Sequence, residues 1–121
     1  MSILPHFELS SETRDGPTHV VHVKGEIHVS TAPEFAARLD DAIAHEAPAV
    51  VLDLTGVEFI DSTGLTVLLN GLRSVTLRGG RLALAISNPT VLRLFEITRL
   101  DSTFDIAPTL DEALRRVAGS S

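Results

Sequence analysis

Two hydroxyls and a carboxylate stand together in Phe59-Ile60-Asp61-Ser62-Thr63-Gly64-Leu65. An apolar run, Val50-Val51-Leu52-Asp53-Leu54, precedes them, and a helix-period stretch follows. That order puts Ser62 at a helix N-terminus. Unpaired backbone N–H groups and the positive end of the helix dipole favour a phosphate there. Ser62 is therefore a candidate for carrying one covalent charge, and equally a candidate helix cap. Thr63 offers a second hydroxyl. Asp61 is too acidic to deprotonate a serine usefully, so the hydroxyl reads as a substrate for another enzyme. Gly64 removes a side chain one turn into the helix, which is expected to open the backbone to a visiting enzyme.

The other reactive residue types form no constellation. His19, His22 and His28 sit at no recognised metal-ligand spacing, and strand alternation points His19 and His22 to opposite faces. Asp53, inside its apolar strand, reads as a hydrogen-bonded residue near the strand end and not as a metal ligand. Gly79-Gly80 reads as a helix stop and lacks the pattern of a phosphate-binding loop. No histidine–nucleophile pair, metal cluster or complete phosphate loop is legible, so neither enzymatic activity nor a cofactor is expected. The chain has no cysteine, which excludes disulfides, thiolate catalysis and Cys-ligated zinc.

Length and composition narrow the class further. The chain has 121 residues, 44% hydrophobic and 21% charged, which fits one packed domain over residues 1–121. Its ordered core is expected from about residue 5 to 118. Net charge is −6. Nucleic acid and anionic membranes reward basic surfaces, so neither is an expected partner. The only aromatics are five phenylalanines, a poor stacking platform for bases. No apolar run approaches the ~20 residues of a membrane span. Met1-Ser2-Ile3-Leu4-Pro5-His6 has neither the basic region nor the apolar core of a secretory signal. A cytoplasmic protein is expected.

The elements that position these residues follow from periodicity. Phe7-Glu8-Leu9 reads as a short strand and Ser10 to Pro17, with Asp15-Gly16, as a hairpin loop. Val20 to Lys24 is strand-like, Gly25 marks a bend or bulge, and Ile27 and Val29 extend the run. Thr31 with Glu34 fits a capping box opening a helix, whose apolar face is Phe35, Leu39, Ala42 and Ile43 and whose stop is Ala47-Pro48. Ala49 to Leu54 is a strand buried on both faces. The helix from Ser62 carries Leu65, Leu68, Leu69, Leu72 and Val75. Arg81 to Ile86 is a strand whose small Ala83 and Ala85 admit a close helix. Asn88-Pro89 opens a short helix, Phe104 to Ile106 is an edge strand, and Thr109 with Glu112 caps the last helix. The order β-β-α-β-α-β-α-β-α predicts an α/β fold: a mixed, mostly parallel central sheet of about four or five strands with about four helices. Functional loops gather at the carboxyl ends of such strands. Ser62, Ser87-Asn88 and the Gly25 to Thr31 segment are therefore expected to form one surface.

These blocks together resemble the STAS domain family, in particular the single-domain bacterial anti-sigma factor antagonists. The resemblance rests on Gly25-Glu26-Ile27, on Phe59 to Leu65, on Gly79-Gly80, and on Leu92-Arg93-Leu94-Phe95-Glu96-Ile97-Thr98 with Leu100, and it spans nearly the whole chain. It implies a STAS-like sheet and a phosphorylation switch at Ser62. The implied partners are an ATP-carrying serine kinase that is also an anti-sigma factor, and a serine phosphatase that resets the modified form. The unmodified antagonist binds the kinase and frees a sigma factor. Asp61, Thr63, Gly64 and Leu65 are the expected contact residues, with Glu26, His28 and Ser30 of one loop and Ser87 and Asn88 of another. Many members carry an aspartate where this chain has His28, a departure that bears on which partner is bound. The alternative is a STAS subunit of another assembly, such as a lipid-transport complex or a stressosome-like scaffold.

Overall fold

A strand whose successive residues are all apolar needs cover on both sides, and that need sets the layers of this protein. The computed structural model describes residues 7–14, 18–44 and 49–118. Strands β1 (Phe7–Arg14) and β2 (Thr18–Ile27) lead into α1 (Ala32–Ala44), β3 (Ala49–Ile60) and α2 (Ser62–Leu77). Strand β4 (Arg81–Ala85), α3 (Pro89–Ile97), a 3-10 turn at Leu100–Ser102, β5 (Asp105–Ala107) and α4 (Leu110–Ala118) complete the chain. The sheet order is β1-β2-β3-β4-β5, with β1 antiparallel to β2 and the remaining pairs parallel. This is the expected mixed sheet, with four α-helices among the described residues.

Val21, Val23, Val50, Leu52 and Leu84 point to one face. There they pack with Phe35 and Leu39 of α1, Leu65 and Leu68 of α2, and Val91 and Phe95 of α3. Val20, Val51, Ala83, Ala85 and Ala107 point to the other face and meet Ala113 and Val117 of α4. The alanines on β4 leave room for that helix to lie close, as their size suggests. No helix among the described residues is long and apolar enough to cross a membrane.

β4 ends one residue earlier than expected, β5 is Asp105–Ala107 with Phe104 before it, and larger differences lie in β1, β2 and β3. Ser10 to Arg14 continue β1, in register down to Arg14 opposite Thr18. Their polarity reflects an exposed edge strand, where polar side chains are tolerated, and not a loop. Val29 lies beyond β2, in the following loop, and is 70% exposed. Strand β3 does not end near Leu54 but runs on to Ile60. It is held there by β2 through Lys24 opposite Gly56, Gly25 opposite Val57, and Ile27 opposite Ile60. Two register shifts, one of them at Gly25 (φ 97°), put extra residues into β3 and turn its end. The expected turn residues Asp15, Gly16 and Pro17, the helix stop Ala47-Pro48, the core positions Pro5 and His6, and the tail Gly119 to Ser121 lie outside the described residues.

Asp53 lies within β3, seven residues before its end and not near it as expected, and faces His22 directly across the ladder. His22 Nδ1 donates to Asp53 Oδ2 at 2.7 Å and Nε2 donates to Glu12 Oε2 at 2.6 Å. Two acceptor carboxylates are satisfied together only by the doubly protonated ring. One imidazolium thereby ties β1, β2 and β3. Partial burial pushes the His22 pKa down, but the bonds to Glu12 and Asp53 outweigh it and leave the pKa raised. Burial pushes Asp53 up, and the bonds from Thr55 and His22 outweigh that and hold it below its usual range.

A raised folded-state pKa means that the His22 contribution is complete below the unfolded value of about 6.5 and fades as pH climbs through the folded value. The His22→Gln variant is expected to be less stable than the parent by about 1–2 kcal/mol at pH 6, with the gap shrinking by pH 9. Urea denaturation at both pH values measures it. A gap that is constant across that range would contradict the imidazolium assignment.

Candidate functional site

Ser62 is exposed and is the first residue of α2. Asp61 occupies the N-cap in an extended conformation, and its Oδ1 accepts from the Gly64 N–H at 3.1 Å. Its own N–H donates to the Ile27 carbonyl at 3.1 Å, which fastens the start of α2 to the end of β2. Asp61 is thus the cap and Ser62 is not, so the serine hydroxyl is not consumed by capping. The first turn of a helix has four N–H groups without intrahelical acceptors. Asp61 and Gly64 account for two of them, and the N–H groups of Ser62 and Thr63 meet no protein acceptor among the described residues. A helix N-terminus with two free N–H groups beside an exposed hydroxyl suits an added phosphate.

Gly64 and Leu65 face the other way, which corrects both as contact residues. Gly64 is buried, and a methyl group on it would lie 2.7 Å from Ile60 Cγ1 and 2.8 Å from Ile27 Cγ2. The glycine is there so that α2 can rest on the ends of β2 and β3, not to open the backbone to a visitor. Leu65 is 7% exposed and belongs to the core. Thr63 is half-buried.

The loop after β2 closes on itself beside this site. Thr31 Oγ1 accepts from the His28 N–H at 2.9 Å and donates to the Glu26 carbonyl at 2.8 Å. Its hydroxyl thus braces the loop in place of the expected capping box with Glu34. His28 Nδ1 accepts from Ser30 N at 3.3 Å and lies 2.9 Å from Ser30 Oγ, while Nε2 lies 3.5 Å from Glu26 Oε1. The His28 ring also lies 6.5 Å from Phe59, tilted by 56°. Glu26, His28 and Ser30 are therefore one unit, joined to the Ser62 segment through Phe59 and through the Asp61–Ile27 bond.

Ser87 and Asn88 do not join it. Ser87 lies beside Thr55, whose carbonyl its hydroxyl approaches at 3.5 Å, whereas Ser62 follows the far end of β3. The Asn88 side chain accepts from Thr90 N at 2.8 Å and caps α3. The three expected loops become two because β3 outruns β4. Two apolar residues were not singled out as contacts from sequence: Val29 and Phe59, the latter 46% exposed, flank His28. The signal available was Phe59 next to a polar motif at a strand end. Among the described residues no three metal-binding side chains gather into a site, and His22 is occupied by its carboxylates.

Comparisons with known proteins converge. A sequence model of the STAS domain matches residues 8–113. The anti-sigma-B factor antagonist of Listeria monocytogenes serovar 1/2a is 35% identical over 100 residues, which span 81% of this chain and 88% of that protein. A solved anti-sigma factor antagonist from Mycobacterium paratuberculosis is similar with a TM-score of 0.86 at 35% identity, over 93% of this chain and 95% of that one. The antagonist SpoIIAA is similar in its unphosphorylated form, with a TM-score of 0.75 at 28% identity, over 96% of this chain and 99% of that one. It is also similar in its phosphorylated form from Bacillus, with a TM-score of 0.69 at 25% identity, over 91% and 99%.

Overpacking typically costs about 1–3 kcal/mol, and replacing a helical glycine by alanine returns up to about 1 kcal/mol. The Gly64→Ala variant is expected to lose about 1–2 kcal/mol net, because the methyl meets two buried branched side chains at once. Urea unfolding measures the loss. An equal or higher midpoint would show that the close approach of α2 to the strand ends is not required.

Proposed function

The chain belongs to the STAS domain family, and from that membership we propose that it is an anti-sigma factor antagonist switched by phosphorylation of Ser62. In this reading the unmodified protein acts in the cytoplasm and binds a serine kinase that is also an anti-sigma factor. The kinase then lets go of its sigma factor. The ATP belongs to the kinase. Its γ-phosphoryl group is transferred to Ser62 Oγ, the hydroxyl proton goes to the base of the kinase, and ADP leaves. A serine phosphatase hydrolyses the ester and restores the hydroxyl. The observation that carries the proposal is an exposed hydroxyl, not spent on capping, at the start of a helix whose next two inward residues are sealed into the core. The existence of a similar protein in a phosphorylated form supports it.

The switch acts on docking and not on folding. Phosphorylation adds a charge of roughly −1.5 to −2 at neutral pH. Within the protein, the free N–H groups of Ser62 and Thr63 and the helix dipole receive that charge. At a docked surface the same charge is desolvated close to Asp61, among the apolar Val29 and Phe59. A penalty of about 2.8 kcal/mol lowers affinity a hundredfold. Asp61, Thr63, Glu26, His28 and Ser30 are the residues proposed to meet the kinase.

Incubation with the cognate kinase and ATP is expected to add one phosphate, placed on Ser62 by mass spectrometry. The Ser62→Asp variant is expected to bind that kinase at least tenfold more weakly, with its unfolding midpoint close to that of the parent. A phosphate found elsewhere, or full affinity in Ser62→Asp, would overturn the proposal.

A further inference from the structure

Strand β1 is the outermost strand on one side of the sheet, and among the described residues no strand lies along its second edge. Such an edge presents unpaired N–H and C=O groups that can pair with another chain. Proteins blunt it with short strands, proline, lysine, bulges or inward-pointing charge. The opposite edge of this sheet is blunted, because β5 has three residues and Pro108 follows it. β1 is not. It runs for eight residues without proline or lysine, and its register with β2 is unbroken. Its charged residues, Glu8, Glu12 and Arg14, lie on the face away from α1, so none points inward. On the core face Phe7 and Leu9 are only half-buried and gain cover from a further strand.

The charge order along β1 restricts what that strand is. A second copy related by a two-fold axis pairs antiparallel and keeps like faces together, so even-numbered residues oppose even-numbered ones. An axis at Ser10 sets Glu8 against Glu12 twice, and an axis at Glu12 sets that carboxylate against itself. Like charges directly opposite are destabilising. An axis at Ser11 sets Glu8 against Arg14 twice and Ser10 against Glu12 twice, and it pairs the whole of Glu8 to Arg14. Axes nearer either end pair fewer residues. We propose that β1 pairs with the β1 of a second copy of this chain about a two-fold axis at Ser11, which joins two five-stranded sheets into one. A single strand edge is small beside a standard interface, so the dimer forms in reversible equilibrium with the monomer. Residues 7–14 lie outside the set proposed to meet the kinase.

Sedimentation velocity over a rising series of protein concentrations tests this with the purified chain alone. The parent is expected to show a monomer–dimer equilibrium. Glu8→Arg and Arg14→Glu, both at exposed positions, are each expected to weaken self-association at least tenfold while the circular dichroism spectrum is retained. An equimolar mixture of the two variants is expected to associate again, because each arginine then opposes a glutamate across the axis. A parent that stays monomeric at every concentration would overturn the proposal, as would variants that dimerise like the parent or a mixture that fails to associate. A monomer whose outward β1 amides are nonetheless protected from hydrogen exchange would assign the edge to residues 1–6 of the same chain and overturn it as well.

Discussion

The structure depends on the close seating of the first turn of α2 on the ends of two strands. Ile27 and Ile60 stand opposite one another where β2 and β3 finish, and Gly64 lies on both. The Asp61 N–H bonds to the Ile27 carbonyl, and the Asp61 carboxylate holds the Gly64 N–H. Residue 61 is thus fixed by hydrogen bonds and residue 64 by packing. Ser62 between them has a determined backbone and a free side chain. A longer loop would present the hydroxyl equally well but would not fix it, and a side chain at residue 64 would lift the helix away.

That seating divides the electrostatics into an inner and an outer part. Facing the helix, a charge on Ser62 meets two N–H groups and the positive end of a sixteen-residue helix. Facing outward, it stands beside Asp61 and the Glu26–His28–Ser30 network, with Val29 and Phe59 exposed around it. The first environment offers donors to a dianion without requiring a rearrangement. Under the proposed function, a partner docking there would have to remove water from it next to another carboxylate. One modification can therefore be neutral for the fold and costly for a complex. The sheet itself is braced from elsewhere, through the His22 imidazolium that joins three strands on the side away from α1 and α2.

Sequence alone carried the order of elements well, because each is marked by local chemistry. Asn88-Pro89 opens α3 and Thr109 holds the Glu112 N–H, as their residue types suggest. Ala83 and Ala85 do face the close helix. What the sequence did not carry are properties of pairing between strands. Ser10 to Arg14 are polar because they lie on an edge, and nothing in their types separates an exposed strand from a loop. The extension of β3 past Leu54 depends on β2 accompanying it through two register shifts, and Thr55-Gly56 looks like a terminator until that partner is present. The same extension separated Ser87 and Asn88 from Ser62. Gly64 was legible as important but for the wrong face, since a glycine that admits a visitor and one that admits the protein's own strands look alike in sequence. His28 illustrates the converse: its type is plain, but its partners Ser30 and Glu26 appear only in space.

The central claim is that this fold accepts a dianion at Ser62 unchanged. It is tested most directly by amide hydrogen exchange and 15N chemical shifts of the protein carrying phosphoserine at position 62, beside the unmodified form. The account predicts shifts concentrated at the amides of Ser62 and Thr63, slower exchange at those two, and undiminished protection through β2, β3 and α2. Loss of protection along β2 and β3, with Ser62 and Thr63 still exchanging freely, would contradict it.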